Sequence, residues 1–129
     1  MRFAWISLGC LLLACGQASE GPDTAPPAVA RTEPADGAEG VAREPAVRVW
    51  FDEPIDCSSS HGEILHLVSG VDSLFGNVSC DKAQAMIHMT VLTPLEAGAS
   101  YAAVLEPGVR DRAGNRMPQG ARWSFRVSD

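Results

Sequence analysis

The sequence predicts an all-β fold, an antiparallel β-sandwich of immunoglobulin type with about seven strands. Three observations predict it. Apolar and polar residues alternate with period two in several short runs. Clusters of Gly, Pro, Asp and Asn separate the runs at close intervals. No stretch of ten or more residues carries both the periodicity and the caps of a helix. The part able to build a core, residues 26–129, suits one domain of about 100 residues and leaves no room for two.

The chain opens with "MRFAWISLGCLLLA", in which Arg2 precedes an apolar run from Phe3 to Leu13. That run is shorter than the roughly 20 residues needed to cross a bilayer, so residues 1–14 read as an export signal. "LLAC", Leu12 to Cys15, resembles the lipobox of bacterial lipoproteins. The resemblance implies cleavage after Ala14, a small residue, and attachment of diacylglycerol to the Cys15 sulfur with acylation of its amine. The rival is an ordinary signal with an incidental cysteine, but no A-x-A site follows soon after. Two or three acyl chains would make the membrane the first partner of this protein, since each buried CH₂ contributes about 0.8 kcal/mol. Residues 15–25, Cys15 and the following "GQASEGPDTA", offer nothing for a core and read as a flexible tether. Its ten residues reach about 35 Å when extended.

Seven strands are expected in the remainder. "PAVART" (27–32) begins with prolines, as an edge strand can. "AVRVWFD" (46–52) sets Val47, Val49 and Phe51 inward against Arg48, Trp50 and Asp52. "EILHLVS" (63–69) and "SYAAVLE" (100–106) are less sharply patterned strands, and Gly76 marks "LFGNVS" (74–79) as a bulge or an edge. "AMIHMTV" (85–91) places Ala85, Ile87, Met89 and Val91 on one face, with Met86, His88 and Thr90 outward. "RWSFRV" (122–127) alternates Trp123, Phe125 and Val127 against Arg122, Ser124 and Arg126.

Charge narrows the function. Without Arg2, nine basic residues face sixteen acidic ones, a balance of −7. That argues against nucleic acid, which needs a basic face, and against electrostatic adhesion to anionic lipid. Of four cysteines, Cys10 leaves with the signal and Cys15 takes lipid. Cys57 and Cys80 remain as an even pair in an exported chain and are expected to form a disulfide. His61 and His66 lie between them, but Cys-x3-His-x4-His with a distant cysteine is not a zinc spacing.

Three groups of residues invite a chemical reading. In "VRDRAGNRM" (109–117), Asp111, Gly114 and Asn115 fit a turn: the carboxylate accepts backbone N–H groups, glycine supplies positive φ, and asparagine tolerates left-handed geometry. The D-x-[DN]-x-[DN]-G spacing of a calcium loop is absent. Asp52, Glu53 and Asp56 in "FDEPID" resemble a carboxylate pair for acid–base work, but acids at a strand end broken by Pro54 are better read as a solvated edge. No G-x-S-x-G and no phosphate-cradling glycine motif occurs, so no catalytic residue and no cofactor is expected. Trp50 is expected on an outward face, where it either anchors a protein or glycan partner or is covered by 26–32 or a loop.

The order of motifs resembles bacterial Ig-like domains of the S-layer-associated (SbsA) type. The pieces that carry the likeness are "PADGAEGV", "FDEPID", "TPLEAGASYAAVLEPGVRDRAGN" and the closing "WSFRV"; residues 57–83 depart from the pattern. The resemblance covers nearly all of 26–129 and implies a spacer or adhesion module without catalysis, held at the cell envelope. The alternative is copper. "MIHM" offers Met86, His88 and Met89, soft ligands for that metal. Periplasmic copper-carrier domains are similar small sandwiches with a related "PADG" opening. This chain lacks their N-terminal histidine, since Cys15 would be the mature terminus, and has "DRAGN" where they have Asp-Thr-His before the last strand.

Overall fold

The computed structural model describes residues 24–129; the signal segment, Cys15 and the tether through residue 23 lie outside the described residues. Alternation drives the first pairing. β3 (Ala46–Phe51) buries Val47, Val49 and Phe51, and β7 (Met86–Val91) buries Ile87 and Met89 opposite them, with Val47 facing Met89 and Val49 facing Ile87. β1 (Val29–Glu33) and β6 (Gly76–Asp81) flank this antiparallel pair and complete a sheet of order β1-β3-β7-β6. The second sheet has order β2-β9-β8-β4-β5, from β2 (Ala38–Val41), β9 (Ala121–Val127), β8 (Ser100–Leu105), β4 (Leu65–Ser69) and β5 (Asp72–Leu74). Among the described strands only β2 pairs parallel, with β9. Leu65, Leu67, Tyr101, Ala103, Leu105, Trp123, Phe125 and Val127 point from this sheet into the shared core. Ile55, Ile64, Leu95, Val109 and Met117 close it from the loops. The architecture is an Ig-like β-sandwich.

Nine strands form among the described residues where about seven were expected, for two reasons. "PADGAEGV" is more than a turn. Asp36 Oδ1 accepts the Ser124 N–H at 3.1 Å and the Gly37 N–H donates to the Ser124 carbonyl at 2.7 Å, which clips the segment to β9 so that β2 forms beside it. The run 74–79 is also not one strand. Leu74 ends β5 in one sheet and β6 begins at Gly76 in the other, so the chain changes sheets at Phe75. Gly76 is required there because a Cβ would be driven into the Thr90 carbonyl.

One further expectation needs correction. Ala85 precedes β7 rather than belonging to it, and has φ of 51°. Met86 shares the outward face with His88 as the alternation expects, yet only 5% of it is exposed. It lies directly across from Trp50 and Asp81 on its two neighbouring strands, and a broad indole beside a thioether shields both from water.

Two cross-links hold the loops. Tyr101 Oη accepts the Glu96 N–H at 2.9 Å, the arrangement of the tyrosine corner in Ig sandwiches. A disulfide joins Cys57, in the short 3₁₀ turn Cys57–Ser59, to Cys80 on edge strand β6, with Cα atoms 5.7 Å apart. Closing a loop with a sequence separation of 23 stabilises by about 3 kcal/mol on the chain-entropy model. Replacing both Cys57 and Cys80 by Ser is therefore expected to lower unfolding free energy by about 3 kcal/mol. Urea unfolding monitored by Trp fluorescence checks this, and an unchanged midpoint would contradict it.

Candidate functional site

Of the acids singled out in the sequence, Asp52, Asp56 and Asp111 each accept backbone N–H groups. Asp52 Oδ1 accepts the Ala28 N–H at 3.0 Å, while the Asp52 N–H donates to the Ala28 carbonyl, so the start of β1 is tied to the end of β3. Asp56 caps the 3₁₀ turn: its Oδ1 accepts from the Ser58 N–H at 3.0 Å and from the Ser58 hydroxyl at 2.7 Å. Asp111 is 1% exposed. Its Oδ1 accepts the Asn115 N–H at 2.8 Å, its Oδ2 accepts the Asn115 side-chain amide at 2.9 Å, and its carbonyl accepts from Gly114, whose φ is 93°. Ile55 and Asp111 form an isolated bridge, and the Asp56 N–H donates to the Arg110 carbonyl, so "FDEPID" and "VRDRAGN" meet at one end of the sandwich.

That end carries a shallow depression of about 380 Å³ lined by Ile55, Asp56, Cys57, Ser58, Lys82 and Arg112. The two hydrogen bonds from Ser58 hold the Asp56 carboxyl below its ordinary range, with smaller help from Arg110 and Lys82.

The outer face of the four-stranded sheet holds the other candidates. Trp50 and Met86 are cross-strand partners, as are Arg48 and His88. Arg31 from β1 lies over the Trp50 ring, its Cζ 3.6 Å from the ring centroid. Strand 29–33 thus supplies the cover that was one of the two readings of Trp50. Glu33 bridges the guanidinium groups of Arg31 and Arg48 at 3.5 and 3.1 Å. Met89 points into the core, on the face opposite Met86 and His88, so the three do not converge. His88 lies between Arg48 and Ser79, a cationic neighbour that disfavours a bound cation. The disulfide occupies both thiols that a zinc site would need. Among the described residues no group of three His, Cys, Asp or Glu side chains could hold a metal ion. No described helix is long and apolar enough to cross a membrane.

One grouping was not found from the sequence. On the other sheet, His66, Phe75, Glu63, Glu106, His61 and Pro107 line a cavity of about 440 Å³. The alternation of 63–69 points His66 away from Leu65 and Leu67, which was a usable signal. Nothing local brings Phe75 or Glu106 to it.

A model of the bacterial Ig-like domain matches residues 23–127. The chain belongs to the bacterial Ig-like domain family. This Ig-like domain superposes on the crystal structure of the S-layer protein rSbsC(31-844) with a TM-score of 0.61 and 17% identity, covering 90% of this chain and 15% of that one. Against SbsC domains 1-6 the TM-score is 0.61 and the identity 18%, again over 90% and 15% of the two chains. CopC from Methylosinus trichosporium OB3b aligns with a TM-score of 0.60 and 15% identity over 79% of this chain and 93% of CopC. At such identities the likeness is one of fold. No curated protein sequence matches the chain significantly.

The Asp56 turn yields a direct test. Ser58→Ala removes the larger cause of the depression, so the carboxyl titration midpoint, followed by NMR, is expected to rise towards 3.8. The sign for stability follows from a folded value lying below the unfolded one. The contribution is present above pH 3.8 and is lost as the pH falls through the lowered folded value, and Ser58→Ala flattens that part of the acid-unfolding curve.

Proposed function

We propose that this Ig-like domain is a non-catalytic structural and binding module of the bacterial cell envelope, of the S-layer-associated type that its motifs resemble, anchored by lipid on Cys15 and displayed on the tether 15–25. The observation that carries the non-catalytic part is the use of the motif acids. Asp36, Asp52, Asp56 and Asp111 each accept a backbone N–H, Asp56 and Asp111 inside their own turns and Asp36 and Asp52 from a distant segment, so the polar residues of the family pattern fix backbone rather than converge around a substrate. The Cys57–Cys80 disulfide supports an oxidising compartment outside the cytosol. "LLAC" supports the anchor. The expected partners are the membrane, through lipid, and a protein or glycan of the envelope; no nucleic acid is expected.

Cys15→Ser tests the anchor. In bacteria expressing the full chain, the variant is expected to keep its signal segment or to be released from the membrane fraction, and to take up no labelled fatty acid. Normal processing with unchanged fractionation would remove the anchor from this reading.

The alternative, a copper carrier of the same architecture, rests on the "MIHM" ligands and is weakened by Met89 pointing into the core. Dialysis against copper followed by metal analysis separates the two. The module retains no stoichiometric metal, whereas a carrier retains about one equivalent that His88→Ala abolishes.

A further inference from the structure

We infer that the cavity beside β4 is a binding site for an organic cation, a primary ammonium such as the end of a lysine side chain on a partner protein. It goes beyond the envelope-module reading and does not depend on the lipid anchor. The cavity is built by β4, the sheet-switching residue Phe75 and the segment that follows β8.

His66 faces Val104 across the β4–β8 pair, on the side of the sheet away from the core, yet it is only 8% exposed. Phe75 causes this. Its ring lies against the imidazole with centroids 5.0 Å apart, while the residue remains 47% exposed, so part of the ring is presented to solvent. An aromatic ring at that exposure, beside two carboxylates, offers a negative quadrupole face to a cation.

The hydrogen-bonding geometry of His66 points the same way. Nδ1 lies 3.3 Å from the Glu63 carbonyl oxygen, which can only accept, so Nδ1 carries the ring proton. In the neutral ring Nε2 is then a lone pair, and it faces Glu106 Oε2 at 3.6 Å. Two acceptors oppose each other across a gap too wide for a hydrogen bond, and both residues line the cavity. A second ring proton would satisfy that pair from within. An ammonium group satisfies it from outside, donating one N–H to Nε2 and another to the carboxylate, and leaves a third for Glu63 or water. The exposed ring of Phe75 is used only in the second case.

A metal ion fits less well. Among the described residues no three ligating side chains converge, and an aromatic ring adds nothing to a divalent cation held by oxygen and nitrogen. An anion would meet Glu63 and Glu106. The chain's net charge of −6 favours approach of a basic partner.

The test is an NMR titration of the purified protein with N-acetyl-lysine methylamide, following the ring resonances of His66 and Phe75. Saturable shifts are expected, absent with the uncharged isostere N-acetyl-norleucine methylamide. Glu106→Gln keeps the shape of an exposed side chain but removes its charge, and is expected to weaken binding about tenfold, the usual loss for one charge-assisted hydrogen bond. Phe75→Leu keeps an apolar side chain without the π-face and is expected to weaken it several-fold. Absence of saturable shifts, equal binding of the norleucine probe, or unchanged affinity in Glu106→Gln would overturn the assignment. Saturable shifts of the same resonances with zinc alone, and none with the lysine probe, would overturn it in favour of a metal.

Discussion

The rest of this molecule depends on two inward rows of apolar side chains closing against each other. Val47, Val49, Phe51, Ile87 and Met89 from one sheet meet Leu65, Leu67, Leu105, Trp123, Phe125 and Val127 from the other. Because side chains alternate along a strand, a slip of one residue would turn each row to solvent, so the core sets the register of every strand that contributes to it. It also sets what the loops must do. The chain has to pass between sheets at Phe75, and only glycine fits where the next residue approaches the Thr90 carbonyl. Core closure tolerates one imperfection. Trp123 Nε1 is buried without a hydrogen-bond partner, which costs about 1–3 kcal/mol and is outweighed by the indole's apolar area.

A second consequence concerns the acids. Sandwich loops are short, and their backbone N–H groups lack strand partners. A carboxylate accepts them without adding bulk. Asp56 and Asp111 lie at one end of the sandwich, and Asp81 does the same in the β6–β7 turn, accepting from Ala83 and Gln84. The spacing that makes these residues look like a catalytic or calcium-binding set is therefore the spacing of turns between strands. Their oxygens accept from backbone and side-chain donors of their own turns.

The outer faces of the two sheets differ. On the four-stranded sheet Arg31 already occupies one side of Trp50, and the Glu33 carboxylate lies between two exposed arginines. Such exposed pairs contribute little to stability. The five-stranded sheet differs. There the Phe75 ring remains partly open against a nearly buried imidazole, with Glu106 on the imidazole's other nitrogen and Glu63 lining the same cavity.

The sequence by itself determined the sandwich, the inward residues of its sharpest strands, and the pairing expected of Cys57 and Cys80, because period-two alternation and cysteine number are properties of the chain before it folds. It also indicated Asp111, Gly114 and Asn115 as turn residues, since an Asx turn is made by neighbours. Tertiary structure decided the rest. Met86 is buried because Trp50 arrives beside it from 36 residues away, and "AEGV" becomes part of a sheet because Ser124 accepts from and donates to the "PADG" turn just before it from the opposite end of the chain. The cavity at His66 draws on Glu63, Phe75 and Glu106, which meet only when β4, the sheet switch and the end of β8 are laid side by side. Such groupings arise from which strands become neighbours, and strand order is settled by the closing of the whole core rather than by any segment's own pattern.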